Sequence, residues 1–153
     1  HEWPFDRHYN NVAIKNNITP VDEKISRVFI GKDSIVIAGS EFYLSKKAEN
    51  KDLNKRASEE DFVIYLQHNP DYAEVAENSK IDVMLSGHTH GGQVTLFGVF
   101  APYLPTKTGQ KYRSGRVEGD GFPVIISNGI GVYKLPIRLG ARPQIVVLNL
   151  KKI

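Results

Sequence analysis

The chain contains no cysteine. Disulfides, thiolate metal sites and cysteine nucleophiles are thereby excluded together, although no compartment is, because secreted proteins can also lack cysteine. It contains no run of about 18 apolar residues, the length needed to span a bilayer as a helix. No segment is repeated or of low complexity. A strong charge of one sign is also missing. Lys and Arg number 20 against 17 Asp and Glu, a formal net charge of +3. That mild basic excess suits an anionic substrate and is too small to argue for nucleic acid on its own. The first residue is His1 and not Met, so removal of a tag, a signal peptide or a whole upstream segment is expected, and the sequence cannot show an address that is no longer present. What is present, 41% hydrophobic and 24% charged over 153 residues, fits one globular domain or part of a larger one.

Val12, Ala13 and Ile14 can close a short helix before Asn16-Asn17. Ile25–Ile30 and Ser34–Ala38 are rich in β-branched residues and flank Gly31-Lys32-Asp33, which predicts a hairpin. Residues 45–61 mix both charge signs at helical spacing and read as a solvated helix or loop. Phe62–Leu66 and Ile81–Leu85 are continuous apolar runs, as expected of strands buried on both faces. Between them, Asn69-Pro70-Asp71 can start a helix with Tyr72, Val75 and Ala76 on one face. Strand, short helix and strand predict an α/β chain with a mostly parallel sheet. Gln93–Phe97, Val124–Ile126 and Ile145–Leu150 read as further strands. Residues Gly98 to Gly121 form a long irregular segment of the kind that often carries function.

The chemistry concentrates in histidine. Ser86-Gly87-His88-Thr89-His90-Gly91-Gly92 follows directly on an apolar strand. In open α/β sheets, ligands sit beyond the carboxyl ends of strands. The flanking glycines allow sharp turns there. The strand Phe62–Leu66 ends in the same manner, in Gln67-His68-Asn69-Pro70. If the two strands are parallel neighbours, His68 lies beside His88 and His90, and imidazoles gathered at one sheet edge suit Zn, Fe, Ni or Mn. A strand-end histidine is more often an ordinary polar loop residue. Matching positions on two strands favour the metal.

Gly87-His88-Thr89-His90 after Asp82–Ser86 resembles the final motif of the calcineurin-like metallophosphoesterases. His68 within Leu66–Asp71 is similar to that family's preceding single-histidine motif, and His1-Glu2 to the end of its Gly-Asn-His-Asp/Glu motif. Ser127–Gly131, Pro136-Ile137-Arg138 and Arg142–Val146 resemble the C-terminal signature of a bacterial branch that includes YkuE- and YaeI-like phosphoesterases. The resemblance implies the C-terminal part of a metallophosphoesterase β-sandwich flanked by helices, with residues 1–153 the C-terminal portion of a single domain. It implies two divalent metals about 3.5 Å apart that clamp a phosphate and activate water. It assigns His68 and His88 to one metal and His90 to the other. It makes His1 the catalytic residue that stabilises the phosphoryl transition state or protonates the leaving oxygen, and leaves Glu2 an orienting role.

The family's Asp-x-His and Gly-Asp motifs, and the Asn that precedes the histidine matching His1, are absent from this sequence. The chain therefore reads as a fragment that holds at most one metal weakly and is inactive alone. The intact parent would hydrolyse phosphate mono- or diesters, with small-molecule, lipid-linked or cell-wall phosphates as candidate substrates. The missing half, or another copy paired through exposed sheet edges, is the expected partner. The compartment stays open: a soluble domain, with membrane or envelope association through an upstream segment as an alternative. Two rivals stand beside this reading. One is a non-catalytic metal- or anion-binding module. The other is a nucleic-acid-binding domain using Tyr103, Lys107, Lys111, Tyr112, Arg113 and Arg116, for which a solvated loop is the commoner explanation. Arg138 and Arg142 can serve a phosphate or ion pairs, and Asn128-Gly129 suggests a tight turn near the site.

Overall fold

A computed structural model describes residues 7–21, 25–40, 51–76 and 79–151. Six strands form one mixed sheet in the order β1-β2-β3-β4-β6-β5. Strands β1 (Ile25–Ile30) and β2 (Asp33–Gly39) make the expected antiparallel hairpin. Its two-residue turn starts at Gly31, whose φ of 63° is the left-handed value that glycine adopts without strain. Strands β2, β3 (Phe62–Leu66), β4 (Val83–Ser86) and β6 (Pro123–Ile126) run parallel to one another. β5 (Gly115–Glu118) closes the far edge antiparallel to β6. The class is α/β, as the sequence predicts. Helices α1 (Arg7–Lys15) and α2 (Lys51–Arg56) fall in the two segments read as helical.

The central strands are buried because their sequences are apolar on both faces. Val36, Val63, Met84, Val124 and Ile126 are almost fully buried, and Leu53 and Ala57 from α2 and its end join the same core. Tyr65 and Tyr72 stack at 5.3 Å between ring centroids. Their hydroxyls share a 3.1 Å hydrogen bond, so two buried polar atoms satisfy each other. No helix among the described residues is long and apolar enough to cross a membrane.

Four expectations change in detail. The helix after β3 is a single 3-10 turn, Pro70–Glu74, capped by the Asn69 side chain accepting from the Asp71 N–H. Tyr72, Ala73 and Ala76 face the core, while Val75 is 53% exposed. Gln93–Phe97 is not a strand. Val94 and Leu96 make only isolated bridges, because Gly92 and Gln93 at one end and Phe97 and Gly98 at the other all have positive φ, which breaks the extended backbone. Ile145–Leu150 has strand composition and no strand partner among the described residues; Ile145 and Val147 are 82% and 77% exposed. β5, in turn, lies inside the segment read as irregular.

One buried carboxylate ties the long loop to the sheet. Asp71 is 4% exposed. It accepts hydrogen bonds from the N–H groups of Lys107 (2.7 Å) and Thr108 (3.3 Å) and from the Thr108 hydroxyl (2.6 Å). Bonds to a charged acceptor are the strong ones. Asp71→Ala should therefore lower unfolding stability by about 3 kcal/mol, since two backbone donors lose their partner in a part-buried setting. Denaturant unfolding of the variant checks this. A change below about 0.5 kcal/mol, the size of a typical surface substitution, would sink it.

Candidate metal centre

The parallel ladder between β3 and β4 continues past the ends of both strands. The Gln67 N–H donates to the Leu85 carbonyl at 3.1 Å, and the Gly87 N–H to the His68 carbonyl at 3.2 Å. That continuation carries His68 and His88 to the same sheet edge. Their rings lie 5.0 Å apart, nearly edge to face at 64°. Gln67, buried beside them, donates to the Ser40 hydroxyl at 2.7 Å and accepts from the Asn69 N–H at 3.1 Å, which locks the His68 turn.

His88 and His90 sit in a tightly wound turn. The Thr89 N–H reaches the Gly87 carbonyl (2.7 Å), and the Gly92 and Gln93 N–H groups reach Thr89 and His90 (2.8 and 3.1 Å). Both histidines have left-handed φ, 66° and 51°. Non-glycine residues rarely hold this conformation, and when they do they cluster at functional sites. The two glycines that follow are required by packing. A Cβ on Gly91 would lie 2.5 Å from Asn128 Oδ1, and one on Gly92 2.2 Å from Ala101 Cβ.

His88 Nε2 is 2.8 Å from the Pro105 carbonyl. A carbonyl can only accept, so Nε2 carries the hydrogen and the ring lone pair is on Nδ1. Metal-ligating histidines are oriented in this way, by donating the other ring nitrogen to a carbonyl or carboxylate. Pro105 is placed in turn by its neighbours Lys107 and Thr108, which Asp71 holds. A path therefore runs from the buried Asp71 through the loop to the His88 tautomer.

Two arginines brace the turn. Arg113 donates to the Gly91 and Gly98 carbonyls, each at 3.1 Å. Arg138 donates to the carbonyls of His90 (3.1 Å), Ala141 (3.0 Å), Asn128 (2.8 Å), Gly129 (3.3 Å) and Gly131. The sequence offers Arg138 to a phosphate or an ion pair and Arg113 to an anionic ligand; both guanidinium groups instead hold backbone carbonyls. Two other basic residues of the long loop have carboxylate partners. Lys111 pairs with Glu74 at 2.6 Å, the buried Tyr112 donates to the same carboxylate, and Arg116 pairs with Glu118 at 2.9 Å. Lys111 and Tyr112 together hold Glu74 below the usual carboxylate range.

All three imidazoles are pushed towards the neutral form. Loss of solvation and then the nearby His88 bring His68 down to about 4, although the residue as a whole remains exposed. Burial lowers His88, opposed by the Pro105 carbonyl and the charge of Asp71. Burial also lowers His90, opposed by the Gly131 carbonyl and reinforced by Arg138. Neutral imidazole is the form that ligates a metal, and for His68 and His88 the chemistry and the spacing suit a shared ion. Among the described residues no three His, Asp, Glu or Cys side chains gather around one point. His90 lies on the same turn as His88. His1 lies outside the described residues. Asp71, Pro105 and the bracing of the turn by Arg113 and Arg138 have no signal in the sequence, because the contacts that tie them to the turn or the long loop span 15 to 48 positions.

In the presence of a chelator, the His68 ring should titrate with a midpoint near 4. An unperturbed histidine does so at about 6.5. The folded-state value is the lower one, so the unfolded chain takes up the proton first. The contribution of His68 to stability is complete above about pH 6.5 and is lost as pH falls towards 4. Proton NMR of the imidazole checks this; a midpoint above 6 would show that the ring is not desolvated against His88.

No family model matches the chain, and no solved structure does. Over 118 residues it is 38% identical to the uncharacterized protein YpbG of Bacillus subtilis, covering 76% of this chain and 42% of that protein. It is 35% identical to the uncharacterized metallophosphoesterase YkuE of the same organism, covering 63% of this chain and 33% of the relative. It is 36% identical to the phosphodiesterase YaeI of Escherichia coli, covering 57% and 32%. The chain thus spans between a third and two fifths of the length of these curated relatives. With the strand-end histidines, these likenesses make the chain a member of the calcineurin-like metallophosphoesterases, in the branch that holds YkuE and YaeI.

Proposed function

We propose that this chain is the C-terminal portion of a single phosphoesterase domain and supplies part of a dinuclear site that hydrolyses phosphate mono- or diesters. The observation that carries the reading is the contact of His68 with His88, together with the Pro105 bond that puts the His88 lone pair on Nδ1. His68 and His88 would hold one divalent metal and His90 the second, with Mn, Zn, Fe or Ni as candidates. Such ions polarise the phosphoryl oxygen and acidify water near neutral pH. His1 keeps the role of transition-state stabiliser or acid that the family resemblance gives it. The remaining ligands, carboxylates among them, would come from the part of the relatives that this chain does not match. Alone, the chain would take up at most one metal, weakly.

The substrate is then a phosphoester small molecule, or a lipid-linked or cell-wall phosphate. The pairing of Lys111 with Glu74 and the use of Arg113 to hold the Gly91 and Gly98 carbonyls favour the phosphoester over nucleic acid. The partner is the rest of the domain or a second copy. Exposed apolar side chains support this, among them Phe29 on the edge strand β1, 74% exposed, and Ile130, also 74% exposed.

His88→Ala in the protein that carries the complete ligand set should reduce hydrolysis of a chromogenic phosphodiester roughly a thousandfold, the equivalent of several kcal/mol of transition-state stabilisation. The same change in the 153-residue chain should remove its weak Mn or Zn uptake in calorimetry. Turnover within a factor of about three of the parent would remove His88 from the ligand set.

A further inference from the structure

The histidine turn also forms one wall of a cavity of about 550 Å³, a size that suits a small molecule. His88 and His90 face it together with Tyr103, Tyr133, Lys134 and Leu135. The rest of its lining is largely apolar, with Val94, Pro102 and Pro105 contributing. Tyr103 is 70% exposed and Leu135 64%, so the cavity presents apolar surface to solvent that a ligand would cover.

This wall is fixed to the turn. The Gln93 amide donates to the carbonyls of Tyr133 (3.1 Å) and Leu135 (2.9 Å), and its oxygen accepts from the Tyr133 N–H at 2.6 Å. Backbone strain converges on the same place. Among the described residues, the non-glycine positions with positive φ are Asn17, His88, His90, Gln93, Phe97 and Lys134. Of these, His88, His90, Gln93 and Lys134 line the cavity. Lys134 lies over the Tyr133 ring, 5.2 Å from its centroid, and adds a permanent positive charge to an otherwise apolar rim.

We propose that this cavity receives the organic group of the phosphoester and selects an aromatic or otherwise apolar group over a hydroxylated one. The proposal rests on the reading of His88 and His90 as metal ligands, which sets the phosphate beside the cavity. The chemistry of the walls decides the class. Tyrosine rings, prolines and aliphatic side chains reward apolar contact. The Gln93 amide is already committed to the 133–135 backbone, so a sugar or glycerol hydroxyl would lose its water partners and gain few others. Lys134 favours an anionic ligand over a neutral one.

The test is equilibrium binding of non-hydrolysable probes, in the presence of Mn, to the protein that carries the complete ligand set: benzylphosphonate, methylphosphonate and 2-hydroxyethylphosphonate. Benzylphosphonate should bind at least about tenfold tighter than methylphosphonate, the gain expected for burying an aromatic ring. The hydroxyethyl probe should gain nothing. Tyr103→Ala and Tyr133→Ala should erase the benzyl preference while leaving methylphosphonate affinity and Mn uptake unchanged. Tyr103 is largely exposed, so its variant tests the contact without removing core packing. Normal Mn uptake with equal affinity for benzyl- and methylphosphonate would overturn the cavity assignment and leave the metal reading standing. A tyrosine-dependent benzyl preference with no Mn uptake would support the cavity assignment and overturn the metal reading.

Discussion

Parallel neighbours in a sheet deliver their C-terminal ends to one edge, and everything at this site follows from that constraint acting on β3 and β4. The ladder extends beyond both strands, through the Gln67 and Gly87 N–H groups, so the ends are in register as well as on the same side. His68 and His88 have little freedom to be elsewhere. The rest of the molecule supports that edge. β2 and β6 bury β3 and β4 from either side. The Tyr65–Tyr72 stack fills the space beneath the 3-10 turn that follows His68.

The turn after β4 is held in the opposite manner, by groups distant in sequence. Arg138 and Arg113 gather carbonyls that a tight loop cannot satisfy within itself. The arrangement has an electrostatic side. A guanidinium next to His90 disfavours a second positive charge there, and burial disfavours charge on His88. Arg138 thus braces the loop and also helps keep the His90 imidazole neutral. Asp71 works from the other direction, holding the stretch that ends in the Pro105 carbonyl.

How much of this was legible depended on the range of the interaction. The hairpin, the buried strands β3, β4 and β6, and the pairing of His68 with His88 could be read because each depends on short apolar runs and on what immediately follows them. The bracing of the histidine turn by Arg138 could not, since the His90 carbonyl lies 48 positions away and becomes its neighbour only once the chain has folded back. Strand composition misled at Ile145–Leu150, because a strand is defined by its partner and none lies among the described residues. At Gln93–Phe97 it misled for another reason: the left-handed residues at both ends, Gln93 and Phe97, look like ordinary strand formers on paper. The 3-10 turn at Pro70–Glu74 carries the same capping residues as the short helix that the sequence predicts there.

The left-handed backbone at His88 and His90 bears on how this sequence would drift. Glycine or asparagine would sit at either position with less backbone strain, while at His88 the exchange would also give up the bond to the Pro105 carbonyl. Backbone strain by itself pushes these codons away from histidine, in a motif already rich in glycine. Histidine at both positions carries that strain. In a lineage that no longer needed the imidazoles, these two residues would be among the earliest to go, well before the apolar strands beneath them.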